Sequence, residues 1–115
     1  DIDPKAVGVA YENAALNGIG EDRYTVRAGN VLSDRSLAAE LARKRYHLVL
    51  ANIVADVIIP LAPQVPGLLE EDGVFLCSGI IDTRTREVET ALKQAGLTVT
   101  KKREKSGWAA LEAKR

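Results

Sequence analysis

Few residues in this chain could do chemistry. Asn52 closes the apolar run from Tyr46 to Ala51 in YHLVLANIVADVIIP, and Asp56 then leads into a second apolar run. A run without polar alternation reads as a strand buried on both faces, as in parallel sheets beneath helices. Open α/β sheets hold ligands outside the carboxyl ends of their strands, which is where Asn52 falls. The alternative is that Asn52 caps a turn or the following helix. Asp1 is a second candidate, because an acid at a strand end can accept hydrogen bonds from both hydroxyls of a ribose. A terminal acid has no special meaning by itself, however. Ser78-Gly79 ends another apolar run, Val74 to Cys77, at the same sheet edge as Asn52. His47 lies inside its strand and reads as a packed or edge histidine, and Cys77 as a small buried side chain.

Composition narrows the classes. With 115 residues there is room for one small domain. Sixteen basic and sixteen acidic residues cancel, so neither a general nucleic-acid surface nor a membrane surface is indicated. A single cysteine excludes an internal disulfide framework, and with a single histidine it argues against a metal cluster. No apolar run approaches the length of a membrane span, so a cytoplasmic soluble protein is the expectation.

The elements that must position these residues follow from periodicity. Asp3 as N-cap, Pro4 in the first turn and the recurrence of Val7, Ala10, Tyr11 and Ala14 predict a helix from about Pro4 to Leu16, stopped by Asn17-Gly18. Tyr24 to Ala28 reads as a short strand ended by Gly29-Asn30. Leu37, Ala38, Leu41 and Ala42 form the apolar stripe of a second helix over Asp34 to Lys44. Asp56 to Leu69 is apolar, but prolines at 60, 63 and 66 predict a broken helix. Glu71-Asp72-Gly73 reads as a turn before the strand Val74 to Cys77. Asp82 to Ala95 is a helix stopped by Gly96, with Val88, Ala91, Leu92 and Ala95 on one face. Leu97 to Lys101 and Trp108 to Ala113 read as strands that form an antiparallel pair across the charged turn Lys102 to Gly107. Trp108 is expected to pack.

Alternating helices and strands signify an α/β sheet covered by helices. The Asp1-Ile2-Asp3 segment looks like the end of a strand, with Asp1 and Asp3 on one side. The expectation is therefore that residues 1–115 are the carboxyl-terminal portion of a single larger domain.

The ordered set DIDPKAVGVAYENAALNGI, a segment ending GNVL, YHLVLANIVADVIIPLAPQVPGLLEEDGVFLCSGII and the closing GWAALEAKR resembles the catalytic domain of the ribosomal protein L11 methyltransferase family. The resemblance covers essentially the whole chain. It implies a Rossmann-like methyltransferase sheet of six parallel strands and one antiparallel strand. It also implies S-adenosylmethionine as cofactor and amino groups of ribosomal protein L11 as acceptor. By resemblance, Asp1 would bind the ribose, and Gly29-Asn30-Val31 would lie near the adenine, with Asn30 contacting its amine. Asn52 would sit against the methyl donor and the incoming amine, as both cofactor contact and catalytic residue. Ile53, Val54 and Ala55 would shape that mouth, and the Ser78-Gly79-Ile80-Ile81 loop would lie beside the acceptor. No metal is required.

In that family a glycine-rich loop and a central first strand precede the position of Asp1. The expectation is that 115 residues without them are inactive alone, bind the donor feebly, and self-associate through unpaired sheet edges. Two rivals remain: a methyltransferase acting on another protein or a small molecule, and a noncatalytic oligomerising α/β fragment.

Overall fold

A computed structural model describes all residues 1–115, which divide into two compact units, Asp1–Glu40 and Leu41–Arg115. In the first unit, helix α1 (Pro4–Leu16) starts where the sequence predicts. The Asp3 carboxylate accepts the Lys5 N–H, so a donor that the helix itself cannot satisfy finds a partner. The helix ends on Asn17, and the Ile19 N–H returns to the Ala14 carbonyl at 2.9 Å. Helix α2 (Arg35–Leu41) is shorter than its apolar stripe. Asp34 caps it through a 3.0 Å bond from the Leu37 N–H, and the chain turns away at Ala42.

Tyr24 to Ala28 is not a strand. It is an extended segment whose backbone is held piecemeal. The Val26 N–H donates to the Tyr11 hydroxyl at 3.0 Å, and the Tyr24 ring meets Tyr11 edge-on at 6.0 Å. Only one rung of ladder forms. The Asp1 ammonium donates to the Arg27 carbonyl (3.1 Å), and the Gly29 N–H donates to the Asp1 carbonyl (2.8 Å). Those two bonds are the slanted pair by which one residue bridges a parallel neighbour.

The second unit is a four-stranded sheet in the order β1-β2-β4-β3, from β1 (Tyr46–Asn52), β2 (Leu69–Ile81), β3 (Thr98–Lys105) and β4 (Trp108–Lys114). β1 and β2 run parallel, while β4 is antiparallel to both β2 and β3 and lies between them. This is a mixed Rossmann-like sheet closing on an antiparallel pair, as the sequence implies.

The predicted turn at Glu71–Gly73 is instead a bulge inside β2. Tyr46 pairs with Leu69 and Leu48 with Val74, so four residues of β2 bow out opposite His47. β3 likewise runs on to Lys105, four residues past its predicted end, which confines the hairpin turn to Ser106-Gly107.

Between β1 and β2 the proline-rich segment breaks as expected into α3 (Ala55–Leu61), a 3₁₀ turn (Ala62–Gln64) and α4 (Val65–Leu68). Pro63 and Pro66 fall in first turns, where a missing N–H costs nothing, and Pro60 falls in the last turn of α3. A 3₁₀ turn (Asp82–Arg84) leads into α5 (Thr85–Gln94), so the predicted helix is regular only after its first three residues. Arg84 ties α3 to α5, reaching Asp56 at the start of α3 (2.9 Å) and Glu87 in α5 (2.8 Å). Glu87, and then Asp56, hold its guanidinium in the charged form.

Helices α3, α4 and α5 cover one face of the sheet. The core lies there, built on Ile58, Val65, Phe75, Ile80, Leu92 and Leu111. β1 is therefore not buried on both faces. Val49 and Ala51 pack on the core, whereas Leu48 and Leu50 are 50% and 68% exposed on the opposite face. Trp108 points to that open face as well and is 56% exposed, not packed.

Candidate functional site

Asn52 is the last residue of β1 and is paired in register with Ser78 of β2. Its side chain caps nothing. The N-cap of α3 is Val54, which makes no side-chain capping bond. Instead the Asn52 Oδ1 accepts a hydrogen bond from the Ser78 hydroxyl at 3.2 Å, and the Ile53 N–H donates to the Ser78 carbonyl at 3.0 Å.

A second bulge follows directly, against β4. Cys77 pairs with Leu111 and Ile80 with Ala109, so Ser78 and Gly79 together face the single residue Ala110. Gly79 has φ +80°, and a Cβ there would lie 2.8 Å from Asn52 Oδ1 and 3.3 Å from the Ile53 nitrogen. Only glycine accepts both that backbone angle and that contact. The bulge also resets the alternation of the strand, which puts Ile80 into the core and Ile81 on the open face.

Asn52, Ile53, Ser78 and Gly79 are thus brought together at one strand end, with Ile53 and Val54 exposed beside them. A concavity of about 440 Å³ runs from Asn52 and Ser78 along the open face over Leu50 and Leu76 toward Arg103 and Glu112. Sequence reasoning missed Lys101, Arg103 and Glu112 as neighbours of this region. The period of two in TVTKKREK does place Lys101 and Arg103 on one face, but which face needs the register with β4. A larger hollow of about 540 Å³ between α5 and β3 carries the Lys102–Glu89 ion pair and is remote from this strand end.

In the first unit, the rung of ladder brings Asp1 beside Gly29-Asn30. Asp1 Oδ1 accepts the Asp3 N–H (2.9 Å), which leaves Oδ2 for a ligand hydroxyl. Asn30 Oδ1 accepts the Leu32 N–H (3.0 Å), and the Asn30 backbone carbonyl accepts from Ser33 and Asp34. The Asn30 side chain therefore keeps one lone pair and its amide N–H groups for a ligand. Both residues are exposed. Cys77 is buried on the helix side of β2. Desolvation pushes its thiol up to about 11, with a backbone bond to Leu111 acting the other way, so it is a neutral packing group. No cluster of three or more His, Cys, Asp or Glu side chains could hold a metal. No helix is long and apolar enough to cross a membrane.

A family model described as ribosomal protein L11 methyltransferase (PrmA) matches residues 1–115. The chain is 43% identical over 114 residues to the ribosomal protein L11 methyltransferase of Desulfitobacterium hafniense, covering 99% of this chain and 34% of that protein. It is 36% identical over 115 residues to the one from Agathobacter rectalis, covering all of this chain and 36% of that protein. A solved ribosomal protein L11 methylase from Lactobacillus delbrueckii subsp. bulgaricus superposes on it with TM-score 0.85 and 30% identity, covering 100% of this chain and 55% of that one. The chain thus spans about a third of the length of the curated relatives it matches. A match running through every residue, joined to the same sheet in a solved relative, means that the chain belongs to the ribosomal protein L11 methyltransferase family.

Proposed function

We propose that this chain is the carboxyl-terminal portion of the catalytic domain of a cytoplasmic methyltransferase. That enzyme transfers methyl groups from S-adenosylmethionine to amino groups of ribosomal protein L11. The observation that carries the proposal is the carboxamide of Asn52, held at a parallel strand end by Ser78 and Gly79 in a chain that matches the family over residues 1–115. The residues present suit the donor. Asp1 keeps a carboxylate oxygen for a ribose hydroxyl, and Asn30 keeps both a donor and an acceptor for the edge of an adenine.

When bound, the cofactor supplies an electrophilic methyl on a sulfonium. The protein must hold a neutral amine nitrogen in line with the carbon–sulfur bond, about 3–3.5 Å from the carbon. Asn52 Oδ1 has two lone pairs, of which Ser78 uses one. The other accepts an amine N–H, aligns the nitrogen, and stabilises the positive charge that grows on it. The proton that an ammonium must lose first goes to solvent. Ile53 and Val54 form an apolar mouth, and Ser78 and Gly79 flank the acceptor.

The test is methyl transfer from S-adenosylmethionine to purified ribosomal protein L11 by the full-length protein, read by intact-mass spectrometry. Calorimetric titration with S-adenosylhomocysteine accompanies it. Asn52→Ala should lower kcat on the order of 100-fold while donor affinity stays within about threefold. Asp1→Ala should weaken donor binding. No mass increase on ribosomal protein L11, with donor binding intact, would move the reading to another acceptor.

A further inference from the structure

We infer that Ser78 is a positioning residue: its hydroxyl fixes the orientation of the Asn52 carboxamide, and glycine at 79 leaves the carboxamide room to take that bond. This inference rests on the role given to Asn52 above and specifies how that role is regulated by the neighbouring strand.

Three observations carry it. A terminal carboxamide torsion is broad and roughly two-fold, so an exposed asparagine at a strand end has no preferred plane of its own. Asn52 is exposed, and the Ser78 hydroxyl at 3.2 Å is what its Oδ1 is bonded to. The parallel register of β1 with β2 brings the two together, and Gly79 leaves them room. Ser78 is in register with Asn52, its carbonyl accepts the Ile53 N–H at 3.0 Å, and the next residue lacks a Cβ where one would stand 2.8 Å from Oδ1. A side chain at 79 would displace the carboxamide from the Ser78 hydroxyl.

The bond also has a chemical consequence. A hydroxyl donating to Oδ1 locks the carbonyl oxygen, not the amide nitrogen, onto the β2 side and occupies one of its two lone pairs. The remaining lone pair then points in one direction, so an amine approaching Asn52 is received in one orientation. Without Ser78 the carboxamide rotates. It offers Nδ2, a donor, as often as Oδ1, and a donor cannot receive an amine N–H.

The experiment is a double-mutant cycle in the full-length protein with S-adenosylmethionine and ribosomal protein L11, using Ser78→Ala, Ser78→Thr, Asn52→Ala and Ser78→Ala/Asn52→Ala. If Ser78 acts through Asn52, Ser78→Ala lowers kcat roughly 10-fold with KM within about twofold. Ser78→Thr, which keeps the hydroxyl, should recover most of the loss. In the Asn52→Ala background, Ser78→Ala should change kcat by less than about twofold. Effects that multiply independently, or a rise in KM with kcat unchanged, would overturn the inference and make Ser78 a direct substrate contact.

A second readout separates this inference from the proposed function. Ser78→Ala should move the side-chain amide resonances of Asn52 toward those of a freely rotating asparagine in a nitrogen–proton correlation spectrum, and Ser78→Thr should preserve their positions. Unchanged resonances in Ser78→Ala overturn the positioning role. Altered resonances, with an Asn52→Ala enzyme as fast as wild type, sustain the positioning bond and overturn the catalytic role of Asn52 instead.

Discussion

Within one short stretch of β2, neighbouring side chains have opposite fates. Cys77 faces the helices at 1% exposure, while Ser78 faces the open side and bonds to Asn52. The core position makes Cys77 a sensor of alkaline pH. Its thiol ordinarily titrates near 9, and burial moves it to about 11 in the folded protein. Between those values the unfolded chain has lost the proton and the folded chain keeps it, so the folded state binds more protons and stability falls as pH rises. The stability is fully present below pH 9 and declines through pH 11, by about 2–3 kcal/mol in all. Urea unfolding of wild type and Cys77→Ala at pH 8 and pH 10.5 checks this. Other alkaline groups cancel in the comparison, so the advantage of the wild type should shrink by roughly 2 kcal/mol between the two conditions. An advantage that does not change with pH would show that the thiol keeps its ordinary value.

At the scale of elements, the β3–β4 hairpin turns on Ser106-Gly107 alone, with Lys105 paired to Trp108 and both turn residues at positive φ, 54° and 84°. Two left-handed residues in a two-residue loop are the type I′ arrangement, which matches the twist of the flanking strands. Serine is a poor occupant of the first position, where asparagine is favoured. Ser106→Asn should therefore stabilise by about 0.5–1 kcal/mol, and Gly107→Ala should destabilise by about 1–2 kcal/mol. Thermal unfolding followed by circular dichroism reads both, and a Gly107→Ala variant as stable as wild type would exclude this turn.

This hairpin also marks what the sequence could and could not reveal. Its existence was legible from two strand-like runs joined by a polar stretch. Its length was not, because KKREK is polar on both faces and carries no burial pattern to extend the strand. Helix α1 was legible to the residue, since Asp3, Pro4 and Asn17-Gly18 signal its ends by local chemistry. The strand expected at Tyr24–Ala28 failed because its partner groups, the Tyr11 hydroxyl and the Asp1 backbone, are distant in sequence. Asn52 was visible as a polar residue at a strand end. Its bond to Ser78, 26 positions away, depends on a register that no local pattern encodes.

For the whole molecule, the decisive property is the asymmetry of the sheet in Leu41–Arg115. One face carries the apolar core, and the other presents Leu48, Leu50, Ile81 and Trp108, each 50–68% exposed. β1 adds an edge whose outer N–H and C=O groups have no strand beside them. Large apolar side chains on a free, parallel-type edge strand are the combination that recruits another chain, since pairing satisfies the backbone and buries the leucines together. Natural edge strands avoid this with charge, and β3 on the opposite edge does so through Lys101, Arg103 and Lys105. β1 has no such protection.

The 115-residue chain alone should accordingly self-associate in a concentration-dependent way through β1. Leu50→Lys should suppress that association by placing a charge on the most exposed of its leucines. Sedimentation velocity over a range of concentrations distinguishes the outcomes. A wild-type chain that stays monomeric throughout would mean that the open face is already covered in solution. A Leu50→Lys chain that associates as strongly as wild type would move the contact away from β1, to the Trp108 end of the same face.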